Sequence, residues 1–173
     1  MDLNLRHPIA KFLLRFAGLY LLWFLLYDLW LHPKGDLDSG VVFYTIWMAE
    51  DLLELLGYSV VTYSSRILAV EGTSGLSVGD ACNAVTLIAL FAGFMIAYPG
   101  KIKRKLYFIA LGSISIYVLN VLRIVALAVM ETISRSVTEF NHSYTFTFLM
   151  YGYIFFLWYW FIRKEEKENR QAA

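Results

Sequence analysis

Residues 106–130 form a predominantly apolar stretch, LYFIALGSISIYVLNVLRIVALAVM, that contains one charged side chain, Arg123. About 20 mostly apolar residues are enough to cross the hydrocarbon core of a membrane as a helix. Three further stretches meet this criterion, at residues 12–31, 82–99 and 144–162. The sequence therefore predicts about four transmembrane helices within a single membrane domain that covers the whole chain.

The composition supports a membrane protein and excludes several other classes. Hydrophobic residues make up 59% of the chain and charged residues 17%, whereas soluble domains carry about 25% charge. A net charge of +1 disfavours a nucleic-acid partner, which requires a basic patch. The single cysteine excludes a disulfide framework, and His7, His32 and His142 show no metal-ligand spacing. We expect no metal and no cofactor.

The lysines and arginines predict the orientation of the chain in the membrane. Eleven of the fifteen lie on one side of a four-span chain, three on the other side, and Arg123 lies inside a span. Loops rich in lysine and arginine face the cytoplasm. The chain is therefore predicted to be a multi-pass protein of the cytoplasmic (inner) membrane with both termini inside, and residues 32–81 and 131–143 are predicted to face outward.

The first segment predicted to face outward, residues 32–81, contains a helical pattern followed by a strand pattern. Residues 41–57 are typical of a helix that ends at Gly57, but three acidic residues argue against a membrane span. We expect this helix to lie in the outer interface or to dip into it. Residues 59–63 and 66–70 are rich in β-branched side chains and predict a small hairpin. The predicted fold class is thus an all-α integral membrane protein with an interfacial helix and a small extracytoplasmic β-hairpin, within residues 41–80.

This topology brings three reactive side chains to the outer ends of the spans. Cys82 is a candidate nucleophile that attacks as the thiolate, and His142 is a candidate general base and acid. Arg123 could stabilise the oxyanion of a tetrahedral intermediate. Asn120 lies three residues before Arg123 and points the same way, so it could hold the guanidinium or donate a hydrogen bond itself. Asp80 is predicted to cap the helix and to leave Cys82 in its first turn.

Two alternatives to an enzyme remain open. A charge at the depth of Arg123 costs about 2.5–3.5 kcal/mol, so a structural ion pair with an acid such as Asp28 or Glu131 is one explanation. The protein would then be a non-enzymatic assembly or scaffold subunit in which Cys82 only packs. A small carrier that binds an anionic group through Arg123 is the other alternative.

The same residues resemble the exosortase/archaeosortase family of membrane-embedded processing enzymes. The resemblance covers residues 50–160 and depends on three motifs: Asp80-Ala81-Cys82-Asn83-Ala84 at the start of a helix, Asn120-Val121-Leu122-Arg123 in the next helix, and Asn141-His142-Ser143 before the last. The chain is similar to a short form, the exosortase F type. It departs from the family at Asn83-Ala84, because family members commonly have Ser-Gly after the cysteine.

The resemblance implies a cysteine transpeptidase or protease that acts at the outer face of the membrane. Its partners would be exported proteins with a C-terminal sorting signal, which consists of a short motif, a membrane span and a basic cluster, together with membrane lipid. Cleavage would pass through a thioester on Cys82, and the acyl group would then go to a lipid or sugar acceptor or to water.

Overall fold

The structure is a computed structural model that describes residues 8–82 and 84–171. This part of the chain contains long helices and one small antiparallel sheet. The helices are α1 (Pro8–Lys34), α2 (Asp36–Leu55), α3 (Val85–Ala97), α4 (Ile102–Glu131) and α5 (residues 135–171). The strands are β1 (Val60–Ser64), β2 (Ile67–Val70) and β3 (Leu76–Ser77), in the order β1-β2-β3.

Three of these helices are long and apolar enough to cross a membrane: α1, α4 and the segment Arg135–Glu168 of α5. The predicted fold class, a helical membrane protein with a small strand element, is confirmed. The predicted span at 82–99 is instead the shorter helix α3, whose 13 residues extend about 20 Å. It ends before Pro99 because a residue that precedes proline is biased away from the helical conformation, and Tyr98 is extended.

Two of the long helices contain π-helical turns. In α1 the π-helical turn covers Phe24–Leu31, and in α5 it covers Asn141–Thr145. Such turns are rare and often mark functional sites. The second one contains His142, which the sequence places just before the last predicted span.

The segment from α2 to β3 follows the predicted order of helix and hairpin. Helix α2 starts earlier than the predicted residue 41, and Gly57 follows its end with φ of 88°, the left-handed conformation that terminates many helices. Strands β1 and β2 pair with Val60 opposite Val70, as the hairpin prediction required. The third strand, β3, was not predicted, because two residues are too short to show an alternating pattern.

Two groups of buried side chains hold these elements together. The first joins α2, the sheet and α4, and includes Leu53, Leu68, Ile124 and Cys82. The second joins α3, α4 and α5, and includes Ala84. The turn between the sheet and α3 therefore lies where the two groups meet.

Candidate functional site

Cys82 ends a short 3₁₀ turn, Asp80–Cys82, that precedes α3. Helix α3 begins only at Val85, because Ala84 adopts a left-handed conformation with φ of 62°, which an α-helix cannot include. The prediction that Asp80 caps this helix and places Cys82 in its first turn is therefore wrong. The chain departs from the family pattern at Asn83-Ala84, and Asn83 lies outside the described residues.

The structure brings the thiol and the imidazole together. Cys82 is 4% exposed, and its Sγ lies 3.2 Å from Nε2 of His142. The two residues are 60 positions apart in the sequence, and the π-helical turn of α5 carries the histidine to the cysteine. This distance allows direct proton transfer between the two side chains.

The side chain of Asn120 contacts the main chain of the turn that contains Cys82. Its side chain is fully buried, and Nδ2 donates a hydrogen bond of 2.6 Å to the carbonyl oxygen of Cys82. The sequence left two roles open for Asn120, to hold the Arg123 guanidinium or to donate a hydrogen bond itself. This geometry corresponds to the second role. The acceptor is a main-chain carbonyl whose orientation helps to set the position of the thiol.

Arg123 lies one helical turn further along α4 and lines the same cavity as Cys82 and His142. The cavity measures about 550 Å³. The arginine is 8% exposed, and its Nε has no hydrogen-bond partner among the described residues. No described carboxylate lies within 4.0 Å of its guanidinium. Glu131, one acid considered as its partner, accepts a hydrogen bond from Ser74 instead.

The sheet also contributes to the cysteine turn, which the sequence did not predict. Arg66 Nη1 lies 2.6 Å from Oδ1 of Asp80, and Nη2 donates to Ser39 Oγ at 3.0 Å. Asp80 itself lines the cavity. The sequence offered one signal for this pair: Arg66 lies within an otherwise apolar hairpin, and Asp80 follows it 14 residues later, two residues before Cys82.

A second polar cluster lies beside this ion pair. His32 Nδ1 is 2.8 Å from Asp38 Oδ2, and Tyr27 donates a hydrogen bond of 2.5 Å to the other oxygen of Asp38. The ligand atoms of His32, Asp38 and Asp80 lie within 4.8 Å of one another. The histidine that showed no metal-ligand spacing in the sequence thus gains two carboxylate neighbours in the fold.

The cavity therefore combines a thiol, an imidazole within proton-transfer distance and a buried guanidinium. This set of groups can perform nucleophilic acyl transfer: the thiol attacks, the imidazole moves protons, and the cation balances a developing negative charge. The neutral side chains around them, Thr86, Leu87 and Met150 among them, keep the site partly apolar.

The comparisons with known proteins point to one family. The family described as transmembrane exosortase matches residues 8–162. No curated protein matches the chain, and no solved structure does. The match confirms the resemblance that the three motifs around Cys82, Arg123 and His142 suggested.

Proposed function

Because the chain belongs to the transmembrane exosortase family, a membrane family with a sorting-related function, we propose that it is a cysteine transpeptidase or protease that uses Cys82. The observation that carries this proposal is the 3.2 Å distance between Cys82 Sγ and His142 Nε2, in a cavity that Arg123 also lines. The family match alone gives the coarser function, and these three side chains supply the chemistry.

In the first half of the reaction His142 takes the proton of the Cys82 thiol. The thiolate forms a bond to the carbonyl carbon of the substrate, and the carbonyl π electrons move to oxygen. Arg123, which lines the cavity, donates hydrogen bonds from its guanidinium to that oxyanion. The oxyanion then collapses, the carbon–nitrogen bond breaks, and the imidazolium returns its proton to the leaving amine. The product is a thioester on Cys82.

In the second half an acceptor replaces the cysteine. His142 removes a proton from an incoming hydroxyl, amine or water, and the acceptor attacks the thioester carbon. Arg123 again stabilises the oxyanion, and the carbon–sulfur bond breaks to release the thiolate, which recovers the proton from His142. Asn120 takes part indirectly, because its hydrogen bond to the Cys82 carbonyl keeps the thiol directed toward the imidazole.

We further propose that the substrates are exported proteins with a C-terminal motif, span and basic cluster. The enzyme would lie in the cytoplasmic membrane with both termini inside and with the cavity at the outer face, as the lysine and arginine distribution predicts. This orientation requires the shorter helix α3 to cross the membrane together with the three long helices. A nucleophile at that level meets a peptide bond just above the substrate's own span.

The decisive experiment uses an exported protein with such a C-terminus, co-expressed with the enzyme. We expect loss of the C-terminal fragment and a covalent enzyme–substrate adduct that hydroxylamine releases, as a thioester requires. Cys82→Ala should abolish both. If processing continued in Cys82→Ala, the thioester mechanism would be refuted, and a carrier would be the better assignment if the same variant still bound anions.

Arg123 can be tested with a matched arginine as the control. Arg123→Ala should lower processing by about 10²–10³-fold, which is typical for loss of one oxyanion donor, while membrane insertion stays normal. Arg135→Ala removes an arginine at the same end of the bundle whose side chain is 70% exposed and should leave processing unchanged. Equal activity in both variants would exclude an oxyanion role for Arg123.

The orientation can be tested with the only thiol of the chain. A membrane-impermeant thiol reagent should label Cys82 in spheroplasts, and Cys82→Ala should remove the signal. Labelling only after detergent has dissolved the membrane would contradict an outward-facing cavity.

A further inference from the structure

Strand β3 lies at one edge of the sheet and has β2 as its only strand neighbour among the described residues. Ser77 of β3 stands opposite Ile67 of β2. The next residue, Val78, donates its N–H to the carbonyl oxygen of Arg66 at 2.8 Å. Because the hydrogen-bonding groups of successive residues in an antiparallel pair point alternately toward the partner and away from it, the N–H and C=O of Ser77 point away from β2. We refer to this side of β3 as the free edge.

A cavity of about 210 Å³ lies between β3 and the start of α5. Ser77 is in one wall, and Thr138 and His142 of α5 are in the other. His142 and Ser143 also line the Cys82 cavity, so the two cavities meet at the imidazole. A helix, about 10–12 Å across with its side chains, needs more space than this. An extended chain of the length of β3, two residues, suits it, and extended peptides bind by adding a strand to an exposed sheet edge.

We propose that the free edge binds the substrate residues immediately N-terminal to the cleaved bond, as an added strand whose main chain pairs with Ser77. This inference rests on the proposed function, because it takes Cys82 as the point of attack. The N-terminal half is the acyl half that remains on the thiol, and the cavity lies beside Glu131, at the end of α4 that is predicted to face outward. Both β3 and the bound segment lead toward Cys82, so they run parallel.

Recognition in this cavity falls on the main chain, because the charged side chains around it already have partners. Arg135 Nε lies 3.2 Å from Oε1 of Glu139, and both side chains are 70% exposed. Glu131 accepts a hydrogen bond of 3.0 Å from Ser74. Exposed pairs of this kind contribute little to binding. We therefore expect the free edge to select an extended backbone and to tolerate different side chains, and we expect Arg135→Ala to leave this binding unchanged.

The experiment tethers a peptide to Cys82, the only thiol of the chain, in full-length protein in lipid nanodiscs. The probe is a short acetylated peptide of alternating threonine and valine whose C-terminal amide carries cysteamine, so that a disulfide to Cys82 places the peptide where an acyl group would lie. Cysteamine alone is the control. We expect release of the peptide to need about tenfold more reductant than release of cysteamine, because the tether lets even weak pairing form. Amide exchange at Ser77 should also slow by about tenfold.

Ser77→Pro removes the N–H that the proposal requires. Edge strands tolerate proline where the N–H points away from the sheet, so this variant should keep the β2–β3 pairing, and a thermal transition in detergent identifies folded protein. We expect the peptide to lose its advantage over cysteamine in Ser77→Pro and to keep it in the matched control, Ser77→Ala, which retains the main-chain N–H. N-methylated peptides test the pairing on the unaltered protein: methylation should weaken retention at alternate amides only, because alternate amides face the free edge.

Four results would overturn the proposal. One is a peptide that is retained no better than cysteamine, or that a thiol accepting cysteamine refuses. Another is equal loss of retention at every methylated amide, and a third is equal loss in folded Ser77→Pro and Ser77→Ala. The fourth is protection of the Ser77 amide in untethered protein that disappears on dilution, which would assign the free edge to a second copy of the chain. Tethering needs no cleavage, so it can succeed or fail independently of the processing assay, which tests the reaction alone.

Discussion

Replacement of Asn120 by leucine tests whether one buried side chain positions the nucleophile. In the structure its Nδ2 donates to the Cys82 carbonyl at 2.6 Å, and the residue is fully buried. Leucine has a similar size but no donor, so this carbonyl would lose its hydrogen bond from α4 in an apolar surrounding. A buried polar group that loses its partner costs about 1–3 kcal/mol.

The effect on processing should exceed the effect on stability. Without the bond, the Asp80–Cys82 turn can rotate, and the Sγ–Nε2 distance of 3.2 Å is no longer held. A displacement of about 1 Å at a reacting atom can reduce a rate by about 100-fold. We therefore expect processing to fall by about that factor, while most of the protein remains folded and inserted.

Three measurements on purified protein check this prediction: the processing rate, the thermal transition in detergent and the rate at which a maleimide modifies Cys82. Modification should become faster, because the looser turn exposes the thiol. Ser115→Ala is the control, since Ser115 also forms a hydrogen bond from α4, but to Gly112 of the same helix at 2.8 Å. The positioning role is refuted if Asn120→Leu retains processing, or if its activity falls only in proportion to the unfolded fraction.

Three further substitutions test the packing around this turn. Ala84→Gly should stabilise the protein by about 0.5–1 kcal/mol and raise its thermal transition, because glycine adopts the left-handed conformation without strain; an unchanged or lower transition would contradict that strain. Gly112→Ala should destabilise by about 1–3 kcal/mol, since the new methyl group would overlap the buried ring of Phe91, and an unaltered transition temperature would show that the ring can move. Arg66→Met should speed maleimide modification of Cys82 by freeing Asp80, and the double variant with Asp80→Asn should show little further increase; additive effects would mean that the pair does not act as a unit.

The long helices could be predicted from the sequence because their signal is local. An apolar stretch such as residues 106–130 needs no knowledge of its neighbours, and α4 contains all of it. Helix α3 was harder to predict, because its length depends on two backbone conformations, at Ala84 and at Tyr98. Hydropathy cannot show either of them, so the predicted span was longer than the helix.

The site shows the same division between local and non-local information. Cys82, Arg123 and His142 could be named because each is a reactive or costly residue in an apolar setting. The Arg66–Asp80 pair could not, since its partners are 14 residues apart and meet only through the sheet. The grouping of His32 with Asp38 and Asp80 likewise depends on how α1 and α2 approach the turn.

The late start of α3 gives Asn120 a structural role on the face of α4 that also carries Arg123. Because the helix begins at Val85, peptide groups in the preceding turn have no partners within α3, and the Cys82 carbonyl must find a donor elsewhere. Asn120 supplies it from α4, and the next residue on the same face of α4, Arg123, then lies against the cavity. The face of α4 that fixes the backbone of the nucleophile thus also presents the cation. A substitution that lengthened α3 toward Cys82 would satisfy that carbonyl within the helix, but it would also move the thiol away from both partners.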